Sequence, residues 1–250
     1  ILELYSNKLT DIDLSNNTAL TNLNLGDKFD TSKVKNTNRM FAYTGCIKMT
    51  SLNLGDKFDT SKVEDMNHMF AHTGRESMTE LNLGNKFNTS NVKNMSWMFW
   101  ATGNLMTSLD LGDKFDTRNV TNMYGMFSGT GSTAMTSLDL GPAFTKIADG
   151  NIIINNKAEK AYLEMFENTG KTGCKIYASE QIYLDKNNFK TDTTATTSAI
   201  EYTRGTINPK YRTEWTKETS ELTIDNNNIN NSKITVTLRG STNPEAGIDH

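Results

Sequence analysis

The phrase "LNLGDKFDTSKV", followed by "MF" and then "TG", recurs with small edits from Leu23 to about Gly170 and restricts the fold of this chain more than any other feature. Its leading leucine falls at Leu23, Leu52, Leu81, Leu109 and Leu138, with spacings of 29, 29, 28 and 29 residues. A unit of that length is one supersecondary element, too small to bury its own apolar face. Copies must therefore cover one another, and the chain is expected to stack its repeats, with atypical units at the ends.

Within a unit, Met49-x-x-Leu52-x-Leu54 and then Phe58 recur as Met78, Leu81, Leu83 and Phe87, and again in the next two units. Apolar residues two apart line one face of a strand, so the Met, Leu and Phe slots read as interior. The residues between the leucines then face outward: Asn24, Asn53, Asn82, Asp110 and Asp139, with Glu80 and a row of serines beside them. After Phe58, "DTSKV" offers Asp59, Thr60 or Ser61 as a helix N-cap. Val63, Met66 and Phe70 follow at spacings of three and four, and Gly74 supplies a left-handed stop. This grammar predicts strand, turn, short helix and turn in each unit. The expected fold class is α/β, a solenoid with a parallel sheet on one side and short helices on the other.

The fifth unit departs from the pattern, with Pro142, an insertion "TKIADGNIIINNKAEK", and a strand "CKIYAS" without the leucine pair. It reads as a polar-faced cap that ends the stack. The expected organisation is a repeat domain with its cap over residues 1–189, a Thr/Ala-rich linker over 190–198, and a small all-β, sandwich-like module over 199–250, cut short at His250. The opening "ILELYSNKLTDIDLSNN" reads as the middle of a repeat, so a fragment of a longer protein is expected. The formal net charge is -3, with lysines dispersed through the repeats. That pattern argues against a nucleic-acid binder, and no apolar run is long enough to span a membrane. Cys46 and Cys174 lie several repeats apart, too far for a bridge, and are expected to be free thiols in a monomer.

The stretches "LNLGDKFDTSKVEDMNHMF" and "LDLGDKFDTRNVTNMYGMF" resemble the BspA-type leucine-rich repeat of surface proteins from Gram-positive and related bacteria. The opening segment is similar to the short leucine-rich repeats of internalin-like proteins. The resemblance implies an exported, cell-surface binding protein or adhesin. Its solenoid would engage a host, matrix or glycan ligand, and its β-domains would act as spacers.

Candidate chemistry is sparse. Asp27, Asp56, Asn85 and Asp113 form one outward ladder, and Asp30, Asp59, Asn88 and Asp116 another, with a lysine ladder between. Stacked oxygens of this kind could hold calcium, but helix capping by the second ladder, with the lysines offsetting repulsion, is the stronger reading, and no cofactor is expected. His68 and His72 are four apart, but a zinc site needs three or four ligands, so they read as exposed helix-surface residues. Tyr43, Trp97, Trp100 and Tyr124 fall outside the interior stripe and suit a binding surface, because aromatic rings bury much area with few rotors, while Trp100 and Tyr124 suit equally well the covering of gaps between helices. No nucleophile elbow or phosphate loop is present, so an enzyme is not expected. The favoured role is recognition of a protein or glycan ligand outside the cell through Asn53, Glu80, Asn82, Asp110 and Asp139. The alternatives are a stalk presenting another domain, and the targeting module of an extracellular enzyme whose catalytic domain lies elsewhere.

Overall fold

The alternation read from the leucine pair is what forms. The computed structural model describes residues 2–3, 7–8, 13–25, 29–171, 174–177 and 201–203. The chain separates into two units, residues 1–208 and 209–250, and every described residue belongs to the first. Strands β1 (Leu2–Glu3), β3 (Leu23–Asn24), β5 (Ser51–Asn53) and β6 (Glu80–Asn82) pair in parallel as one four-stranded sheet. A second contains β7 (Ser108–Asp110), β8 (Ser137–Asp139), β11 (Lys175–Tyr177) and β12 (Glu201–Thr203). In register, Leu52 faces Leu81 and Leu109 faces Leu138. Each central leucine is buried between two outward residues in β5 and β6. Short β2 (Asn7–Lys8) pairs with β4 (Phe29–Asp30). The two larger sheets meet between β6 and β7, at the one unit that is a residue shorter. There Met106 N–H donates to Gly103 O, three residues back, whereas Met78 and Met135 reach glycine carbonyls four back.

The far side of each coil corrects the α/β expectation: among the described residues there is no helix. Where a helix was expected, the backbone N–H groups divide between two destinations. Those of Met66, His68, Phe70 and His72 donate to the carbonyls of Asn94, Ser96, Met98 and Trp100 in the next coil. Those of Met69, Ala71 and Thr73 turn back three residues to Met66, His68 and Phe70. A helix would send all of them four residues back within the coil. The sideways donation requires a left-handed residue at every fourth position, and φ is 56° at His68 and 57° at His72. Likewise Asp59 Oδ1 accepts from Ser61 N–H, two residues on, and so closes a turn instead of capping a helix. The array is therefore a stack of strand-and-turn coils and not an α/β leucine-rich-repeat solenoid.

Three ladders hold coil to coil. Phe41, Phe70, Phe99, Phe127 and Phe166 stack with centroids 5.3–5.5 Å apart. Buried Thr73, Thr102 and Thr130 hydroxyls each donate to the phenylalanine carbonyl of the preceding coil at 2.6 Å. Thr31, Thr60 and Thr89 donate in the opposite direction, to Asp59, Asn88 and Asp116 carbonyls. The Met, Leu and Phe slots named from sequence are buried, at ~1.5–3 kcal/mol for each large side chain. The insertion forms an antiparallel hairpin of β9 (Asn151–Ile154) and β10 (Lys157–Lys160). The coil ladder steps across it, from Met123 N–H to Ala161 O. Residues 190–198 lie outside the described residues; of the module expected over 199–250, Glu201–Thr203 is described and pairs in parallel with β11.

Candidate functional site

The outward ladder on the sheet forms in the register read from sequence, with Asn53 facing Asn82, Ser51 facing Glu80, and Asp110 facing Asp139. Its side chains have a structural task. The Oδ1 atoms of Asn53, Asn82, Asp110 and Asp139 each accept a hydrogen bond at 2.9 Å from the glycine N–H two residues on, closing the turn after the strand. Asn53, Glu80 and Asn82 are exposed, Asp110 is half-buried and Asp139 is buried. The five residues thus do not make one exposed surface. In the ladder considered for calcium, Asn85 Nδ2 donates to Asp56 Oδ1 at 2.9 Å, while Asp27 lies outside the described residues. Among the described residues no group of three or more His, Cys, Asp or Glu side chains could hold a metal ion.

The aromatic residues, in contrast, come together. The left-handed slots of successive coils carry Arg39, His68, Trp97, Gly125 and Glu164 in one row, and Tyr43, His72, Ala101, Gly129 and Asn168 in the other, all with positive φ. A left-handed side chain costs roughly 1–2 kcal/mol relative to glycine, so a large ring there is not chosen for the backbone. These slots point the rings along the stack. Tyr43 stacks on His72 at 4.5 Å, and His72 meets the edge of Trp100 at 4.3 Å. Trp100 contacts Trp97 at 5.1 Å, and Trp97 meets Tyr124 edge-on at 4.9 Å. His68 lies 6.2–6.3 Å from both tryptophans. The result is a seam of six rings across four coils. Trp97 also lies over Gly125, where a Cβ would come within 2.4 Å of its ring.

The seam is only partly covered: Tyr43 is 39% exposed, and His68, Trp97, Trp100 and Tyr124 are half-buried. Beside it, Asn67 Nδ2 donates to Ser96 Oγ at 2.6 Å, and Asn67 Oδ1 accepts from His68 Nδ1 at 2.8 Å, which leaves Nε2 as the acceptor of the neutral His68 ring. The charge differs along its length. Arg39 lies near His68, and Arg75 near His72, while Glu164, Glu159 and Glu167 surround Tyr124.

Histidines 68 and 72 were expected on an exposed helical surface, and neither is there. His72 is buried, neither ring nitrogen has a hydrogen-bond partner among the described residues, and burial, followed by Arg75 and His68, depresses its pKa to about 4. Burial, then Arg39, lowers that of His68, against an opposing pull from Asp65. Burial, then a hydrogen bond to Glu164, raises that of Tyr124. The sequence signal for both histidines was their slot, shared with Tyr43 and Trp97. Cys46 and Cys174 are free thiols, the first half-buried and the second buried with its pKa pushed up to about 11. No helix among the described residues is long and apolar enough to cross a membrane.

No curated protein and no solved structure matches this chain. The family model that matches also corrects the resemblance to BspA-type and internalin-like leucine-rich repeats, since it describes neither. Its match spans residues 11–139, more than half of the 250-residue chain, which therefore belongs to the family described as Mycoplasma protein of unknown function, DUF285.

Proposed function

We propose that this protein is a non-catalytic binding protein, acting outside the cell, that lays a glycan chain along the aromatic seam. The observation that carries the reading is the contiguity of Tyr43, His72, Trp100, Trp97 and Tyr124 across successive coils, several at strained left-handed positions. Sugar rings present flat C–H faces that stack on aromatic planes, and their hydroxyls need amide, imidazole and carboxylate partners at the rim. Asn67, the His68 Nε2 and Glu164 supply that chemistry beside the rings. Coils repeat at the ~4.8 Å spacing of paired strands, so partly exposed rings recur along a line, as an extended polymer requires. The rings are already packed, and little side-chain entropy is lost on binding.

A panel of defined oligosaccharides, titrated with tryptophan fluorescence as the readout, tests the proposal. A saturable change is expected for at least one glycan, with binding weakened tenfold or more in Trp97→Ala. Blank titrations across the panel, or full affinity in the variant, would sink it. The continuous phenylalanine and threonine ladders favour a second reading, a rigid spacer that holds another domain away from its base. Excising one complete unit distinguishes the two: a spacer keeps its presented activity, whereas the seam loses rings and affinity.

A further inference from the structure

The inserted hairpin is not needed to continue the stack, because the coil ladder steps across it from Met123 to Ala161. It is closed by Asn155 and Asn156 with φ of 49° and 64°, the two left-handed residues of a type I′ turn. Its register places Ile154 opposite Lys157, Ile153 opposite Ala158 and Ile152 opposite Glu159. Ala161 N–H donates to Gly150 O. Hydrogen-bonded pairs alternate along an antiparallel ribbon, so Gly150, Ile152 and Ile154 turn their backbone groups toward β10. The N–H and C=O of Ile153 therefore point to the outer edge of β9. Among the described residues β9 pairs with β10 alone. The Ile153 side chain is 72% exposed, while Ile152 packs against the core.

We propose that the outer edge of β9 pairs antiparallel with the same edge of a second copy of this chain, centred on Ile153. Two features select that occupant. Residues 152–154 of β9 are three isoleucines, identical in both directions, so an antiparallel pair about Ile153 sets isoleucine against isoleucine and brings Asn151 of each copy to the Asn155 turn of the other. The two edges of the hairpin are also unlike. Edge strands are commonly protected from pairing by charge, and β10 carries Lys157, Glu159 and Lys160, whereas β9 carries no charged residue. The two-fold pairing makes one four-stranded antiparallel sheet, β10-β9-β9-β10. It gives each Ile153 its missing backbone bonds and covers its side chain with that of the partner. The contact is small beside a standard interface, so the dimer is weak and concentration-dependent.

Sedimentation of the full chain from micromolar to millimolar concentration tests this directly. A reversible dimer is expected, weakened at least tenfold in Ile153→Lys, whose exposed position keeps the new charge away from the core. Ile153→Cys in a Cys46→Ser background provides a second readout. Hydrogen-bonded antiparallel partners place their Cα atoms ~5.5 Å apart, within disulfide reach, so mild oxidation should give a covalent dimer. A wild-type chain that stays monomeric at millimolar concentration overturns the proposal. So does a dimer that Ile153→Lys leaves intact, or one that persists while the cysteine variant fails to cross-link.

Discussion

The imidazole of His72 lies face to face with the Tyr43 ring, centroids 4.5 Å apart and planes 11° from parallel, and neither of its nitrogens has a hydrogen-bond partner among the described residues. Such a ring is held neutral, because protonation would bury an unpaired charge beside Arg75. The unfolded chain takes up the proton near pH 6.5, the folded chain only near pH 4. Stability from this group is thus complete above pH 6.5 and is lost as pH falls toward 4, at up to about 1.4 kcal/mol per pH unit. His68 contributes in the same direction. Urea midpoints measured between pH 7 and 4 should fall steeply in the wild type and less steeply in His72→Phe. Equal slopes in the two proteins would show that His72 does not titrate as its burial requires.

Gly125 and Gly129 occupy equivalent left-handed slots with φ of 59° and 69°, yet their surroundings differ. A Cβ at 129 would sit an ordinary 3.5 Å from the Ala101 backbone, whereas one at 125 would fall 2.4 Å from the Trp97 ring. Gly129→Ala should cost the left-handed strain alone, ~1–2 kcal/mol. Gly125→Ala should cost more and should also shift tryptophan emission, because Trp97 must move. Emission unchanged at 125 would mean that the ring does not rest there.

The strand half of each unit was legible in the sequence. Leu52 and Leu54, two apart, are interior, and Met49, Phe58 and the Val63, Met66 and Phe70 stripe are buried as their spacing implied. The helix was not legible, because spacings of three and four satisfy both a helix and an alternating-handed turn. The two differ in which carbonyl each N–H reaches, and for Met66 or Phe70 that carbonyl lies 28 residues away in the next coil. Burial of Asp139 escaped for a similar non-local reason. Its in-register neighbour on β11 is Tyr177, a large side chain where the other rungs carry Asn or Asp. The aromatic candidates were named from sequence, but their contiguity, and the place of His68 and His72 among them, depends on the left-handed slots.

The buried Thr102 hydroxyl donates to Phe70 O at 2.6 Å, and the same carbonyl also accepts from Thr73 N–H at 3.0 Å. Thr102→Val therefore removes one of two bonds and leaves the carbonyl partly satisfied. The expected loss is ~1 kcal/mol, well below the penalty for a fully orphaned buried group, and Thr102→Ser should recover most of it. Denaturant unfolding with an unchanged slope is the appropriate measurement. A valine variant as stable as the wild type would mean that the ladder adds no net energy.

Phe70 is stacked between Phe41 and Phe99 at 5.4 and 5.3 Å, with Phe87 tilted against it at 6.2 Å. In an array where each coil touches only its neighbours, a defect at Phe70 weakens two interfaces at once. Phe70→Ala should cost about 3–5 kcal/mol, the usual range for deleting a buried phenylalanine. The central variant should also uncouple the coils on either side of it. Its denaturation curve should broaden or split, with a lower apparent slope than the wild type. A single transition of wild-type slope in Phe70→Ala would mean that cooperativity passes between coils through the backbone and threonine ladders without the phenylalanine stack.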